Sequence, residues 1–268
     1  MNFSFENIYC LLSILLFCFY CETVLAENRI IGGHRVSIEK FPYMLRLNVG
    51  MKDGRQSVCG ASIIGTDWGL TAAHCVEEKT TNTNKVDVIA GTDNIKKLSS
   101  TASKHKVTSI IRHEKYNKGK VNTLQFDIAV IKVNPPFTYK NVVQPVKLPE
   151  KGQTLDINFA TVSGWGRTNF NKPGSDVLLA VKVPKVDYGT CKKKYGKYLN
   201  SGEICYGFKN GTVFYDKCNG DSGGPLVNKD GIELGLVSFG VKCGSTGTQG
   251  VYTDVQYYRG WIKEKTGI

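Results

Sequence analysis

The sequence predicts an all-β protein closed by one C-terminal helix, and three observations lead there. From Ile30 onward, short apolar or alternating runs recur between Gly, Pro, Asn and Asp punctuation, the pattern of strands and not of helices. Helical periodicity is confined to the tail. Cysteines outside the first segment number six, an even set suited to bridging short segments of a β-rich chain in an oxidising compartment. At 268 residues with 41% apolar content, the chain has ample material for a buried core.

Taken in order, residues 8–21 are almost wholly apolar but too few to span a bilayer comfortably, and Val24-Leu25-Ala26 offers a cleavage site. Residues 1–26 therefore read as a signal peptide, which sends the mature chain to the extracellular space. No Lys or Arg precedes the apolar run, so an uncleaved membrane anchor is the alternative, and no stable anchor is expected. Cys10, Cys18 and Cys21 leave with this segment. Strands are expected at 43–49, 61–64, 86–90, 128–133, 160–162 and 234–239. The tail, 255–265, carries Val255, Tyr258, Trp261 and Ile262 at helical offsets. No internal repeat or low-complexity stretch is visible.

Formal charge is +12, from 35 basic and 23 acidic residues. The first 29 residues hold one arginine and three glutamates, so the remainder has 34 basic and 20 acidic residues and stands at +14. Lysines cluster at Lys96-Lys97, at Lys104 and Lys106, and at Lys192-Lys193-Lys194 with Lys197. They read as a solvated basic face that attracts acidic surfaces. No nucleic-acid-binding motif accompanies them, so nucleic acid is not expected as a specific partner.

Three short motifs carry chemistry. Gly220-Asp221-Ser222-Gly223-Gly224-Pro225 puts one hydroxyl on a glycine-flanked turn where backbone amides can converge on an oxygen, as acyl transfer requires. A serine hydroxyl needs a positioned base, and His74 in Thr71-Ala72-Ala73-His74-Cys75 is the candidate among four histidines. His34, His105 and His113 are expected at the surface. Asp127, opening Asp127-Ile128-Ala129-Val130, is suited to hold the imidazole by its second nitrogen.

The order His, Asp, Ser with these flanking residues resembles the trypsin/chymotrypsin family of secreted serine endopeptidases, most closely the invertebrate type with three disulfides. The resemblance runs from Ile30 to the C-terminus and implies two six-stranded antiparallel β-barrels with the active site between them. It divides 30–268 into an N-terminal barrel at about 30–140, a C-terminal barrel at about 141–254, and the terminal helix 255–265, with the crossing near 135–151. It further implies a catalytic triad of His74, Asp127 and Ser222, an oxyanion hole from the Gly220 and Ser222 amides, and bridges Cys59–Cys75, Cys191–Cys205 and Cys218–Cys243. Loops of this size contribute about 3 kcal/mol each in the chain-entropy account.

By the same resemblance, Arg29-Ile30-Ile31-Gly32-Gly33 is an activation junction, with 27–29 as the propeptide. Cutting after Arg29 would free an ammonium on Ile30 to pair with Asp221. Asp216 matches the base of the primary pocket, Gly240 and Gly250 its open walls, Tyr195 its floor, and Ser238 the strand that holds the substrate backbone. This implies cleavage after Arg or Lys. Lys217 departs from the pattern, because an inward lysine would neutralise Asp216 and fill the space, giving a non-cationic or narrow specificity as the alternative. A second alternative is a protease-derived binding protein that uses its basic surface. Phe239 stands where the family usually has Trp, trimming the adjoining subsite. Residues 91–95 resemble the start of the family's calcium loop, but Thr92 replaces the first carboxylate and Lys96-Lys97 follow, so neither calcium nor any other metal or cofactor is expected. Asn210-Gly211-Thr212 is a candidate glycan acceptor. Expected partners are protein or peptide substrates and protein protease inhibitors, with the chain a monomer.

Overall fold

The computed structural model describes residues 33–77, 80–116, 124–167, 173–210, 213–215, 220–240 and 249–268, with backbone alone for 208–210 and 213–215. The strand β1 (His34–Arg35) comes first and pairs with a strand of the second half. Six strands follow, β2 (Met44–Met51), β3 (Gln56–Ile63), β4 (Trp68–Thr71), β5 (Thr81–Ala90), β6 (Ser103–Arg112) and β7 (Ala129–Asn134), closed as a barrel in the order β2-β3-β4-β7-β6-β5. The second half contains β8 (Phe159–Gly164), β9 (Leu179–Val186), helix α1 (Tyr188–Tyr195), β10 (Glu203–Tyr206), the hairpin β11 (Phe208–Asn210) and β12 (Val213–Tyr215), then β13 (Pro225–Val227), β14 (Glu233–Phe239) and β15 (Gly250–Asp254). Antiparallel pairing runs β9-β10-β15-β14-β13-β8, and β8 returns to β9, so this half also closes as a six-stranded barrel. Helix α2 (Arg259–Thr266) ends the chain.

Local sequence explains most of these strands. In β2, Leu45, Leu47 and Val49 are fully buried while Arg46 and Asn48 between them are half-buried, the period-two alternation of a strand with one face inward. Strand β5 begins five residues before the expected 86–90 run, because its polar first half follows the β2 ladder as far as Met51 opposite Thr81. Backbone pairing extends a strand where side chains face water and leave no apolar pattern to read.

Strands such as β4, β6, β9, β10, β13 and β15 lie outside the expected runs, and two helices also differ from the sequence reading. Helix α1 was not expected: only Cys191 and Tyr195, four apart, are buried, and three lysines fill the rest of its last turns. Asp187 starts it by accepting the Thr190 amide at 3.0 Å, and lysines at its C-terminal end complement the helix dipole. Helix α2 begins at Arg259 and not at 255. The Asp254 carboxylate accepts the amides of Gln256 (2.9 Å) and Tyr257 (3.2 Å), fixing a turn that delays the helix, although Val255, Tyr258 and Ile262 are all buried as the stripe implied.

The two termini exchange sides. β1 pairs with β9 of the second barrel, whereas Ile262 of α2 joins the core cluster of the first, and Trp261 donates to Glu114 at 3.0 Å. That cluster also takes in Trp165, Leu178, Val227 and Leu236, so apolar packing is continuous across the seam between barrels. Two histidines correct the surface expectation. His105 is 3% exposed, with its ring nitrogens on the Pro135 carbonyl (2.6 Å) and the Ser103 hydroxyl (2.8 Å), because it points inward one step from Val107 on β6. His113 is half-buried and stacked between Phe126 and Trp261. His34 is exposed.

Candidate active site

Strand register assembles the site. β4 pairs with β7, Thr71 opposite Ala129, so the residues just past the end of β4 meet those just before β7. His74 sits in the 3-10 turn Ala73–Val76, whose other members are buried, and the Cys59–Cys75 bridge ties that turn to β3. Asp127 is 1% exposed and follows Phe126, which has a positive φ of 57° that turns the chain inward ahead of the strand.

The two side chains meet by a double grip. Asp127 Oδ1 accepts the His74 amide at 2.8 Å, and Asp127 Oδ2 lies 2.8 Å from His74 Nδ1. Ser238 donates its hydroxyl to the same Oδ2 at 2.5 Å, and Thr253 donates to the Asp127 carbonyl at 2.8 Å. Burial opposes ionisation of Asp127, but the His74 charge and these hydrogen bonds outweigh it and hold the carboxyl below its usual range. This fixes Nδ1 of His74 toward the carboxylate and leaves Nε2 on the open side.

Ser222 is wedged between β3 and β14. On one side Gly60 donates to the Ser222 carbonyl at 2.8 Å; on the other, Gly223 donates to Val237 and Val237 donates to Gly224. Glycine is required at Gly60, where a Cβ would lie 2.7 Å from the Gly224 Cα, and at Gly220, whose φ is 99°. Cys75 Sγ packs 3.4 Å from the Ser222 carbonyl and 3.8 Å from His74 Nε2, so serine and imidazole flank one disulfide sulfur. Both residues are half-buried and reachable from solvent. In free enzymes the bond between a catalytic hydroxyl and its imidazole is commonly loose and tightens around substrate. The Gly220 and Ser222 amides are engaged by no other group among the described residues. Asp221 is fully buried, and its Oδ1 accepts the Gly166 amide at 2.8 Å.

Around the expected specificity pocket, Gly240 lies exposed at the end of β14 and Gly250 buried at the start of β15. Tyr195 donates its hydroxyl to the Gln249 carbonyl and packs edge-on against Phe239, with centroids 5.6 Å apart. Cys191 and Cys205 are bridged. Asp216, Lys217, Cys218, Cys243 and Ile30 lie outside the described residues, as does the Asn210 side chain.

Two site neighbours gave no sequence signal. Glu203 on β10 is 4% exposed, and burial first, with the Asp127 charge helping, raises it to about 7. Its Oε2 accepts the Asn200 amide at 2.6 Å, and Asn200 in turn accepts from Gln125, two residues before Asp127. Tyr116 is half-buried, and burial together with the Asp127 charge pushes its hydroxyl up. Motif reading finds neither, because both act through packing around Asp127.

Among the described residues, the one tight group of metal-ligand types is Cys59, His74 and Cys75, and its two sulfurs are already spent in a disulfide. In the 91–95 loop, Asn94 Oδ1 accepts the amides of Lys96 (3.0 Å) and Lys97 (2.8 Å), so the loop is closed by its own groups.

A paired imidazole and carboxylate beside a glycine-held serine is an arrangement suited to serine hydrolysis. The trypsin family model matches residues 30–262. Trypsin 5G1 of Aedes aegypti is 35% identical over 246 residues, covering 91% of this chain and 87% of that protein. Coagulation factor IX of Oryctolagus cuniculus is 34% identical over 240 residues, covering 87% and 83%. A solved structure of HL collagenase superposes with a TM-score of 0.77 at 31% identity, covering 89% of this chain and 99% of that one. The chain belongs to the trypsin family and is a serine endopeptidase.

Proposed function

We propose that this chain is a secreted trypsin-like endopeptidase, made as a zymogen, in which His74, Asp127 and Ser222 act as one hydrolytic unit. The observation that carries the reading is the double grip of Asp127 on His74, with Ser222 packed across the Cys75 sulfur. His74 Nε2 takes the Ser222 proton as the hydroxyl oxygen attacks the scissile carbonyl. The oxyanion that forms is met by the Gly220 and Ser222 amides, donors of a kind worth roughly 3 kcal/mol each. His74 passes its proton to the departing amine, and water releases the acyl group by the same steps in reverse order. Asp127 keeps the productive tautomer and steadies the imidazolium.

Signal-peptide removal after Ala26 and cleavage after Arg29 then give the active form. The new Ile30 ammonium pairs with Asp221, next to both oxyanion amides. Such a pair holds its proton better than a free α-amine, which titrates near 8, so the active form persists at lower pH and is lost as pH rises through the raised value. The Cys218–Cys243 bridge completes the disulfide set. The protein works as a monomer on peptide bonds after Arg or Lys, with Asp216 facing the substrate cation. Lys217 supports a second reading, in which it offsets Asp216 and the preference turns away from basic residues.

The test is hydrolysis of matched Arg, Lys, Phe and Leu peptide esters by the protein cleaved after Arg29. Faster turnover of Arg and Lys esters, increased further on Arg by Lys217→Ser, is expected. A preference for Phe or Leu would favour the second reading, and no ester hydrolysis at all would reject the enzyme mechanism.

A further inference from the structure

Three routes lead from Glu203 to the turn that presents Asp127. Its Oε2 accepts the Asn200 amide at 2.6 Å, and Asn200 Oδ1 accepts from Gln125 Nε2 at 2.5 Å, two residues before Asp127. On β10, Glu203 pairs directly opposite Thr253 of β15, and Thr253 donates its hydroxyl to the Asp127 carbonyl at 2.8 Å. The third route is packing. Tyr258 stands edge-on to Phe126 with centroids 6.2 Å apart, and it crowds Gly202 so closely that a Cβ there would lie 2.5 Å from the Tyr258 hydroxyl oxygen. Residues 125–127 are therefore braced from β10, from β15 and from the approach to α2.

The polar setting of Glu203 is incomplete. Its side chain is buried, and among the described residues Oε1 has no hydrogen-bond partner. The titratable groups that face it are Asp127 ahead of β7, Lys192 on α1 and Tyr258 ahead of α2, while Tyr116 also faces Asp127. Lys192 already donates its Nζ to the Leu199 carbonyl. Burial raises the Glu203 carboxyl to about 7 and the Asp127 charge adds to this, with the Asn200 bonds and Lys192 opposing only in part. A second acid thus changes charge near neutral pH within the field of the first.

Resting on the serine endopeptidase mechanism above, we propose that Glu203 is a positioning residue for that reaction: through Asn200 and Gln125 it holds the 125–127 turn so that Asp127 grips His74, and its proton state sets the basicity of the pair. Ionised Glu203 favours the imidazolium, so His74 frees its Nε2 only at higher pH; neutral Glu203 does the reverse. A clamp that merely closed the 200–203 loop would leave the pH profile unmoved.

The test follows kcat/KM from acid to alkaline pH for protein cleaved after Arg29, on whichever Arg, Lys, Phe or Leu ester wild type hydrolyses fastest. Active sites are titrated with an organophosphonate so that misfolded protein drops out. Glu203→Gln keeps an acceptor for the Asn200 amide but cannot ionise, and its acid limb should lie about half a pH unit below that of wild type. Glu203→Leu removes the acceptor and should lower the plateau by about tenfold, the scale of one lost hydrogen bond, with Gln restoring most of it. An acid limb unmoved in Glu203→Gln would overturn the proposal. So would a plateau unchanged in Glu203→Leu, or lowered as far in Gln as in Leu; if the Leu variant does not fold, the Gln limb alone decides. Failure of wild type to hydrolyse any ester would instead remove the hydrolytic mechanism, and this inference with it.

Discussion

Glu233 makes stability fall with pH in a way that one substitution should cancel. It lies fully buried on β14, and its partner is the Ser62 hydroxyl of β3, which donates to Oε2 at 2.8 Å across the seam between barrels. Among the described residues no cation is paired with it, and burial dominates and raises the carboxyl to about 8 against an ordinary 4.5, with the Ser62 hydrogen bond offsetting only part. A folded pKa above the unfolded one means stability is fully present below about 4.5 and is lost progressively as pH rises toward 8. Between 4.5 and 7 the loss amounts to about 3 kcal/mol, at roughly 1.4 kcal/mol per pH unit. Glu233→Gln keeps the acceptor for Ser62 and removes the titration, but its buried amide donors lack acceptors and cost about 1 kcal/mol. The variant should thus be slightly less stable than wild type at pH 4.5 and about 2 kcal/mol more stable at pH 7. Urea unfolding of both proteins in a Ser222→Ala background, which prevents self-digestion, measures the difference. A stability difference that stays constant from pH 4.5 to 8 would refute the argument.

Further outcomes follow from the same contacts. Asp127→Asn keeps the shape of the site but favours the wrong tautomer of His74, and should lower kcat by about 10⁴-fold at neutral pH, the scale of this change in the trypsin template. Circular dichroism should show the fold retained. Gly60→Ala would place a Cβ 2.7 Å from the Gly224 backbone, with no flexible side chain to yield. It should destabilise the protein by about 1–3 kcal/mol and reduce phosphonate labelling of Ser222, because the bond from the Gly60 amide to the Ser222 carbonyl must shift. Replacing Cys191 and Cys205 by Ser, a separation of 14 residues, should cost about 3 kcal/mol in denaturant unfolding.

The candidate site is legible in the sequence because the proposed chemistry needs particular residues in fixed local settings. The glycines around Ser222 answer to backbone crowding and positive φ, and His74 sits beside a bridged cysteine. Each leaves a local mark. Strands of the first barrel were legible where one face is apolar, as in β2 and β7, and faded where polar residues extend a ladder, as at the start of β5.

What was hidden is tertiary. Glu233 stands between Ile232 and Leu234, and alternation alone would send it to solvent. Leu234 does enter the core of the second barrel, but the outer face of β14 is covered by the first, so Glu233 meets Ser62 instead of water. Glu203 and His105 are buried for similar reasons, on positions that face a neighbouring element. Helix α1 leaves no apolar stripe in the sequence, because two buried residues and a capping aspartate suffice when a disulfide anchors it.

The central claim is that His74, Asp127 and Ser222 work as one unit, and covalent labelling tests it most directly. Protein cleaved after Arg29 is treated with an organophosphonate, and the adduct is located by mass spectrometry. Stoichiometric modification of Ser222 is expected, with labelling abolished in His74→Ala. Failure to label, or labelling of Ser222 at an undiminished rate without His74, would contradict the account.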